Sequence, residues 1–304
     1  MHGPVKNVAF VVVTFNSARE IAGCLDSIAA QGLHEFRIVV VDNGSWDETV
    51  RTVQESGIDL TLVRNETNRG FAAACNQAAS MTDDGFIMFL NPDARLCPGA
   101  VEKLASAIES DERIGIAGPR LTSPDGTLLP SAYRSPTVFQ ELAFLFHLRP
   151  ILVSRPFRRL FGRLLAGRFA QFDPHDTRRV VDTVIGACML VRREVFLNVG
   201  GFDEQFFLFY EEKDFCKRAL EAGFLTLFVP EAEAVHEVGA SVKSDPLAAA
   251  SAKRASMKRY YRKHKPMSAN VVLQAALMIT APAHIVKQKI ESWRKSRAAK
   301  GPRS

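Results

Sequence analysis

Short apolar runs alternate with longer amphipathic stretches through the first 120 residues. The runs predict buried parallel strands, because they are apolar at nearly every position rather than at alternate ones. They are Val8–Val13, Ile38–Val41, Leu60–Val63, Phe86–Leu90 and Ile114–Ala117. Between these runs the apolar residues have the spacing of amphipathic helices, which predicts helices at Ala18–Gln31, Glu48–Glu55, Phe71–Ser80 and Ala100–Ser110. This alternation predicts an α/β fold with a mostly parallel sheet that helices cover on both faces.

The pattern changes after Pro119. Pro124, Asp125 and Gly126 predict a turn within a hairpin. Residues 134–179 form a basic and apolar insertion, after which regular elements resume. These are predicted strands at Val180–Ile185, Cys188–Val191 and Leu225–Val229, the last ending at Pro230, and a helix at Asp214–Ala222 that Gly223 stops.

The composition is that of a folded globular protein. The chain has 304 residues, of which 47% are hydrophobic and 24% charged, and this excludes a disordered or fibrous chain. Its length allows one large α/β domain or two small ones. Five cysteines, an odd number without a C-x-x-C pair, argue against a disulfide scaffold or a zinc site and favour a reducing compartment.

Basic residues are concentrated in two blocks, although the net charge is only +6. Residues 253–303 hold fourteen Lys or Arg and one acid, so the rest of the chain is net acidic. The second block lacks acids and comprises Arg149, Arg155, Arg158, Arg159, Arg163 and Arg168. Such blocks suit phosphate-rich partners, and the interleaved aromatic and leucine residues favour a lipid surface over nucleic acid. The alternative is a solvated basic face above a buried apolar one.

Polar side chains follow several predicted strands. They are Thr14, Asn16, Asp42, Asn43, Ser45, Asn91 and Asp93. In an open parallel sheet the carboxyl ends of the strands border the ligand crevice. Asp42, before the turn at Gly44, can offer a carboxylate and backbone N–H groups to the base and ribose of a nucleotide. A simple capped turn is the alternative there.

Two further groups of residues have the chemistry of a reaction site. Asn91 and Asp93 supply oxygen atoms one residue apart, which suits Mg²⁺ or Mn²⁺. Glu211 and Glu212, after an aromatic run, are candidates for a general base, with helix capping as the alternative. His236 follows a later strand; a lone histidine is more often a core residue than a ligand.

Other chemistries lack their motifs. The sequence contains no G-x-x-x-x-G-K-[ST], so P-loop phosphoryl transfer is excluded. It contains neither G-x-S-x-G nor H-E-x-x-H, which disfavours a serine hydrolase or a zincin.

Eight short segments occur in a specific order. They are Thr14-Phe15-Asn16, Val41-Asp42-Asn43-Gly44-Ser45, Asn68-Arg69-Gly70-Phe71-Ala72 with Asn76, Leu90-Asn91-Pro92-Asp93, Gly186-Ala187-Cys188-Met189-Leu190, Gly200-Gly201-Phe202-Asp203-Glu204, Tyr210-Glu211-Glu212-Lys213-Asp214 and His236-Glu237-Val238-Gly239. The ordered set resembles the inverting family 2 glycosyltransferases of the Rossmann-like GT-A fold, and among them the dTDP-rhamnosyltransferases. The resemblance covers about residues 7–245 and does not extend to the basic tail.

The resemblance implies a donor site and a cation site. The implied donor-binding residues are Thr14, Asn16, Asp42, Asn68, Arg69, Asn76 and Asn91. Asp93 and His236 would hold the divalent cation, Mg²⁺ or Mn²⁺. Asn91 departs from the family pattern, because many relatives have Asp there, and this implies weak cation affinity without a nucleotide.

The resemblance also implies a catalytic base and an acceptor site. Glu212 occupies the position of the base, which is usually Asp, and Cys188, Glu211 and Asp214 would bind the acceptor. The implied reaction is a single, metal-assisted displacement with inversion from dTDP-rhamnose. Both basic and apolar segments suit a lipid surface and a diphosphate headgroup, so the expected acceptor is a polyprenyl-diphosphate-linked or other glycan of cell-envelope polysaccharide synthesis.

This reading divides the chain into four parts. Residues 1–130 would bind the nucleotide-sugar, 131–179 would form the insertion on the membrane and acceptor side, 180–250 would bind the acceptor and catalyse, and 251–304 would form a basic helical tail. The enzyme would then be cytoplasmic and peripheral at the inner face of the cell membrane. The alternative is that the tail packs on the catalytic body or on a second subunit, as in a homodimer.

Rival functions remain at this point. A catalytically silent membrane-binding protein could keep the fold, and Asn91 is the feature that favours it. A family 2 transferase for another nucleotide-sugar is a closer alternative. A nucleotidyltransferase would need a glycine-rich phosphate loop after the first strand, and residues 14–18 do not form one.

Overall fold

The structure is a computed structural model that describes residues 7–154, 156, 159–160, 175–237 and 246–281. The chain forms two compact units, each built from two stretches. The sheet unit contains Met1–Ser135 and Gly167–Pro246, and the helical unit contains Pro136–Ala166 and Leu247–Ser304. The division at residues 130, 179 and 250 stays a prediction about function.

Regular elements follow one another closely. The strands are β1 (Val8–Thr14), β2 (Phe36–Asp42), β3 (Thr61–Arg64), β4 (Phe86–Leu90), β5 (Ala94–Leu96), β6 (Ile114–Thr122), β7 (Leu128–Leu129), β8 (Ala132–Tyr133), β9 (Arg179–Val181), β10 (Thr183–Val184), β11 (Cys188–Arg192) and β12 (Leu225–His236). The helices are α1 (Ile21–Ala29), α2 (Thr49–Gln54), α3 (Phe71–Ala79), α4 (Ala100–Glu109), α5 (Val138–Leu145), α6 (Arg149–Val153), α7 (Arg193–Val199), α8 (Glu211–Glu221), α9 (Pro246–His264) and α10 (267–281).

One large sheet organises the sheet unit, in the order β3-β2-β1-β4-β11-β6-β12-β5. The strands β3, β2, β1 and β4 run parallel, and β6 runs parallel to β12. Between these two groups β11 is antiparallel to both of its neighbours. Parallel strands therefore end at a common edge near β1 and β4, where the polar segments at 14–16, 42–45 and 91–93 begin.

Helices cover both faces of this sheet, as the continuous apolar runs predict. Along β1, Val8, Phe10 and Val12 join one core, together with side chains of α1, α2 and α4. Val11 and Val13 point the other way, into a second core with α3, α7 and α8. Successive side chains of a strand alternate between faces, so a strand must be apolar throughout when both faces are buried. The α/β class is thus confirmed.

Three predicted strands differ in the structure. The strand predicted as buried at Leu60–Val63 is β3, which lies at the sheet edge and contains no buried residue. The run Val180–Ile185 is not one strand, because β9 pairs with β12 whereas β10 pairs with β8. The strand predicted to end at Pro230 continues to His236.

A bulge explains how β12 passes through Pro230. Its register with β6 shifts between Val229 and Glu233. A bulge leaves residues out of the ladder, so the missing N–H of a proline costs no strand hydrogen bond there. This continuation carries His236 alongside β5, where it pairs with Ala94.

The predicted hairpin and the predicted starts of two helices can be compared with the structure. The hairpin at 124–126 is confirmed by the antiparallel pair β6 and β7 and by a φ of +81° at Gly126. The helix predicted from Asp214 begins earlier, at Glu211, and the helix predicted from Ala18 begins later, at Ile21.

In the helical unit, polar contacts join the helices. Lys253 Nζ on α9 lies 3.9 Å from the ring centroid of Phe144 on α5. Arg254 Nη2 donates to the Leu277 carbonyl of α10 at 2.6 Å, and Asn270 Nδ2 donates to the Tyr261 carbonyl at 2.8 Å.

Part of the predicted basic and apolar segments lies outside the described residues. This applies to Arg155, Arg158, Arg163 and Arg168, to the tail beyond residue 281, and to Val238 and Gly239 of the histidine motif. Within the described residues no helix has both the length and the hydrophobicity needed to span a membrane.

Candidate active site

A cavity of about 280 Å³ opens beyond the carboxyl ends of β1 and β4. Ligands of open α/β sheets bind at this edge. Residues from several distant parts of the sheet unit line it. They are Val13, Phe71, Asn91, Pro92, Asp93, Tyr133, Ile185, Gly186, Ala187, Leu208, Phe209, Glu211, Glu212, Lys213 and His236. The cavity therefore brings together Asp93, Glu211, Glu212 and His236, which were singled out separately along the chain, but not Asp42 or Asp214.

Asp93 and His236 lie together because β5 and β12 form a ladder. The backbone N–H of Glu237 donates to the Asp93 carbonyl at 2.9 Å. In this register, His236 Nε2 lies 3.1 Å from Asp93 Oδ1, although the two residues are 143 positions apart. Both side chains are buried, and within the described residues His236 Nδ1 has no hydrogen-bond partner.

This pair fits a divalent cation of the Mg²⁺ or Mn²⁺ class. A carboxylate and an imidazole are suitable ligands, and the second ring nitrogen is buried without a partner in the described chain. The residues that the structure describes contain no group of three or more His, Cys, Asp or Glu side chains that could hold a metal by themselves. Asp93 and His236 would thus supply part of a coordination shell, which substrate oxygen atoms complete.

The first turn of α8 brings three acids to one end of the helix. Before it, Phe209 and Tyr210 adopt φ values of 66° and 71°, a left-handed conformation that costs aromatic residues on the order of 1–3 kcal/mol each. Directly after this turn, Glu211 and Glu212 line the cavity. Such backbone strain is characteristic of functional sites.

Glu212 accepts a hydrogen bond from Lys213 Nζ. The lysine ammonium lies 5.0 Å from the ring centroid of Tyr210 and 5.7 Å from that of Tyr133. Burial lowers the pKa of Lys213, but the nearby Glu212 carboxylate outweighs burial and raises it above its usual value. Lys213 therefore carries its positive charge inside the cavity, beside Glu212.

Glu211 has a different environment from its neighbour. Burial and the adjacent Glu212 raise the pKa of Glu211 to about 8. Within the described residues its Oε2 is buried without a hydrogen-bond partner. Glu211 is therefore mostly protonated at neutral pH and can donate a hydrogen bond, which an ionised carboxylate cannot do.

Thr14 and Asp42 form a buried network beside the cavity. Thr14 Oγ1 donates to Asp42 Oδ1 at 3.1 Å, and the backbone N–H of Ser45 donates to Asp42 Oδ2 at 3.0 Å. Thr14 is fully enclosed and Asp42 is 2% exposed. Both residues hold the turn at 42–45, and neither lines the 280 Å³ cavity.

Asn16 and Asn68 are more exposed than Thr14 and Asp42, although they also lie outside the cavity lining. Asn16 has a φ of 52°, accepts from the backbone N–H of Trp46, and has a buried Nδ2 without a partner in the described chain. Asn68 is half-buried and accepts from the Gly70 N–H at 2.9 Å, while Arg69 is exposed.

Asn43, which the sequence analysis named among the polar residues after the strands without giving it a role, organises this loop. Its side chain donates to the Gly70 carbonyl at 3.1 Å and accepts from Asn65 Nδ2 at 2.9 Å.

A glycine is required at position 70 because the backbone there lies very close to another loop. With a φ of 88°, it lies so near the 206–209 loop that an added Cβ would be 2.7 Å from the Phe207 carbonyl oxygen. The N–H of Phe71 donates to that same oxygen at 2.8 Å.

Asn76 does not face the cavity as the donor-site expectation required. Its Nδ2 donates to the Phe202 carbonyl and its Oδ1 accepts from the Phe202 N–H, both at 2.9 Å. The Asn76 side chain thus clamps the loop at 201–204, because both ends of its amide are engaged there.

Two expected acceptor residues are buried and lie outside the cavity lining. Cys188 is fully buried in the sheet core, and burial raises the pKa of its thiol well above its usual value. Asp214 is also fully buried and accepts from Arg218 Nε at 2.7 Å, while Arg218 donates to the carbonyls of Val199 and Gly201. Neither side chain lines the cavity, and that they bind an acceptor stays a prediction.

Tyr133 and Lys213 were missed as cavity residues. Nothing in the spacing around Tyr133 marks it, since it reaches the cavity through the short pair β8 and β10. Lys213 had a local signal, because a cation between Glu212 and Asp214 is a charge neighbour of both.

The sheet matches a known protein family. The protein-family model described as Glycosyl transferase family 2 matches residues 9–200 of the sequence. This range runs from β1 through α7 and includes the turn at 91–93, but it ends before α8 and His236.

Relatives and solved structures agree with this match. The N-acetylglucosaminyl-diphospho-decaprenol L-rhamnosyltransferase of Mycobacterium tuberculosis is 28% identical over 247 residues, which cover 78% of each chain. The mannosyltransferase PcManGT of Pyrobaculum calidifontis, solved with GDP-Man and Mn²⁺, has a TM-score of 0.57 at 19% identity and covers 94% of this chain and 79% of its own.

GalNAc-T7, solved with UDP, GalNAc and Mn²⁺, has a TM-score of 0.56 at 15% identity. The similarity covers 76% of this chain but 44% of the GalNAc-T7 chain, so this protein spans less than half the length of that neighbour. At these identities the likeness to the two solved structures establishes the fold alone.

Proposed function

Because this chain belongs to glycosyl transferase family 2 and has the GT-A fold, we propose that it transfers a hexose, with inversion, from a nucleotide-sugar to a lipid-linked acceptor. The proposed donor is dTDP-rhamnose, and the proposed acceptor is a polyprenyl-diphosphate-linked glycan of cell-envelope polysaccharide synthesis. The relative from Mycobacterium tuberculosis, whose name specifies a rhamnosyltransferase and a decaprenol-linked sugar, supports both choices.

The main support for this proposal is that one cavity contains both a candidate base and a candidate cation site. Glu212 comes from the start of α8, whereas Asp93 and His236 come from the β5–β12 ladder, and all three line the same 280 Å³ space. A base and a diphosphate-binding cation site must lie on either side of the anomeric carbon in an in-line displacement. A cavity that holds both fits that geometry.

Glu212 acts as the general base in the proposed mechanism. It takes the proton of an acceptor hydroxyl as that oxygen forms a bond to the anomeric carbon. The bond from this carbon to the nucleoside diphosphate breaks in the same step, and the diphosphate leaves with the bonding electrons. A single displacement of this kind inverts the anomeric configuration. Lys213 orients Glu212 through their hydrogen bond.

Asp93 and His236 would hold the divalent cation. When bound, a cation of this class stabilises the negative charge on the leaving diphosphate. The two solved neighbours that contain Mn²⁺ support this assignment. Since Asn91 adds no charge, the cation should bind weakly until the diphosphate supplies further oxygen ligands.

The donor and the acceptor are assigned to different residues. Asn91, which lines the cavity, is proposed to bind the nucleotide-sugar together with Asn16, Asp42, Asn68 and Arg69, which lie outside the lining. Thr14 supports Asp42. Glu211 is proposed to donate a hydrogen bond to the acceptor, because its carboxyl is mostly protonated at neutral pH.

A transfer assay with a donor panel tests the proposal. Purified protein is incubated with a synthetic N-acetylglucosaminyl-diphospho-polyprenol and dTDP-rhamnose, UDP-GlcNAc or GDP-mannose, with Mn²⁺ or Mg²⁺. We expect transfer from dTDP-rhamnose and an inverted linkage in the product by NMR. Transfer from another donor alone would contradict the rhamnose assignment. A failure of every donor, without release of nucleoside diphosphate, would favour the catalytically silent alternative.

A further inference from the structure

Helix α10 presents an uncharged apolar face to solvent. Met267, Val271 and Met278 are 77%, 61% and 72% exposed, and Val272 and Ile279 are also exposed. Spacings of four and seven residues place such side chains on one side of a helix. Isolated exposed apolar residues need no explanation, but a contiguous face of them marks an interaction site.

The opposite side of α10 is already occupied by the fold. Leu273, Ala276 and Leu277 are buried, and the hydrogen bonds of Arg254 and Asn270 fix how α10 is rotated. The helix cannot turn its exposed face inward without breaking these contacts. Helix α10 is therefore apolar on both sides, and one of these sides is left uncovered by the part of the chain that the structure describes.

A groove of about 480 Å³ runs along this face. It is lined by Arg262, Met267, Asn270, Val271, Gln274, Ala275 and Met278. Asn270 is 8% exposed, and within the described residues neither its Oδ1 nor Gln274 Nε2 has a hydrogen-bond partner. The groove thus combines apolar side chains with the cation of Arg262, a composition that suits an amphipathic anionic partner.

The charge around the groove indicates which kind of partner can bind there. Residues 246–281 contain no acid and seven basic residues, all of them between 253 and 265. Two copies of this surface would repel each other, which argues against a second copy of the chain. A nucleic acid would use the cations but would leave the apolar face exposed to water.

We propose that the outer face of α10 docks on an anionic lipid bilayer. The apolar side chains enter the boundary between head groups and acyl chains, while the basic end of α9 contacts the anionic head groups. This inference deepens the proposed function, on which it rests for its biological purpose, since a lipid-linked acceptor lies in such a surface. All the residues from which this inference is argued lie in the helical unit.

Vesicle flotation of the full chain tests this docking without any sugar donor. Vesicles of phosphatidylcholine with phosphatidylglycerol are compared with vesicles of phosphatidylcholine alone. We expect binding to the first, weaker binding to the second, and partial release by high salt, because salt screens the charge contribution but not apolar burial.

Paired variants then separate apolar insertion from charge. The double variant Val271→Gln with Met278→Gln should lower the vesicle partition coefficient roughly tenfold or more, because each side chain loses much of its apolar burial. The matched control is Leu197→Gln with Leu220→Gln, which changes two exposed apolar side chains of the sheet unit and should leave partition unchanged. Arg262→Gln should reduce binding to the anionic vesicles only.

Three outcomes would overturn the docking. They are a full chain that ignores anionic vesicles, a Val271/Met278 variant that binds like the wild type, and a loss of dimerisation in that variant, which would identify a second copy as the occupant. Circular dichroism confirms that each variant is folded. Failure of sugar transfer does not affect this assay, and loss of docking does not affect binding of a water-soluble donor to the sheet unit, so the two proposals fail independently.

Discussion

Glu211 and Glu212 are adjacent in the first turn of α8, but their carboxyl groups meet different surroundings. Glu212 accepts from Lys213, whereas Oε2 of Glu211 is buried without a partner in the described chain. The same low-dielectric environment that raises the pKa of Glu211 to about 8 strengthens the Glu212–Lys213 pair. Two acids side by side thus acquire two chemical states, one protonated at neutral pH and one paired with a cation.

Glu212→Gln should reduce turnover by roughly 10²–10⁴-fold, the usual contribution of a positioned general base. Donor binding should remain, because Glu212 is not among the proposed donor contacts. Steady-state kinetics and donor titration measure the two effects. Glu221→Gln, an exposed change on the same helix, serves as the control. Turnover near the wild-type level in Glu212→Gln would assign the base to another residue.

Glu211→Gln should change how stability depends on pH. The pKa of Glu211 is about 8 in the folded chain against a usual value of 4.5, so the folded state holds a proton that the unfolded state has lost between those values. The free energy of unfolding therefore falls as the pH rises through that interval. Thermal unfolding should give similar Tm values for both proteins at about pH 5 and a higher Tm for the variant at about pH 9. Parallel Tm curves would refute the raised pKa.

At the scale of elements, the ladder between β5 and β12 sets the cation site. Asp93 directly precedes β5 and His236 ends β12, so their distance depends on the register of the two strands. The bulge after Val229 belongs to this arrangement, because it carries β12 past Pro230 to that position.

Asp93→Ala should abolish cation-dependent donor binding, and His236→Ala should weaken it less. The carboxylate supplies both charge and a ligand atom, whereas the imidazole supplies a ligand atom. Isothermal titration of the donor with and without Mn²⁺ measures both variants. If a chelator leaves wild-type turnover unchanged, basic side chains rather than a cation must neutralise the leaving diphosphate.

Gly70→Ala tests the close approach between the start of α3 and the loop that leads to α8. The added methyl would lie 2.7 Å from the Phe207 carbonyl oxygen, so we expect a loss of about 1–3 kcal/mol in unfolding free energy and a fall in turnover. Gly126→Ala has a similar positive φ with no atom within 4 Å, and it isolates the backbone strain. Equal effects of the two changes would show that the approach to Phe207 carries no cost.

Local patterns predicted this architecture better than they predicted its contacts. Apolar runs revealed β1, β2 and β4, because strands buried on both faces carry that signal at every position. The passage of β12 through Pro230 escaped prediction, since a bulge depends on the partner strand β6. Asn76 was placed at the site by its motif, yet its partner Phe202 is set by tertiary packing. Asp214 pairs with Arg218, four residues further along the same helix, a spacing that is visible in the sequence.

At the scale of the whole molecule, the two units interleave along the chain. Each contains two stretches, and the chain passes from one unit to the other three times. The first stretch of the helical unit contacts the second, as the approach of Lys253 to the Phe144 ring shows. Removing either stretch alone therefore leaves the other without its packing partner.

A chain that ends at Pro246 should be less soluble than the full chain, because residues 136–166 lose α9 and α10. A second deletion, which also replaces 136–166 by a flexible linker, should restore solubility and retain donor binding, since every proposed donor contact lies in the sheet unit. Size-exclusion chromatography and the donor-induced rise in Tm measure these outcomes. A single deletion as soluble as the full chain would contradict the interleaved packing.

The position of β12 also has a consequence for synthesis on the ribosome. Among the described residues it is the last strand of the sheet to be made, yet it lies between β6 and β5. Until residue 236 has emerged, a growing chain carries β6 with an open edge and Asp93 without His236. Open strand edges are templates for aggregation. A polypeptide released before that point lacks the cation pair and displays an adhesive edge, a difference by which chaperones and proteases can distinguish incomplete molecules from finished ones.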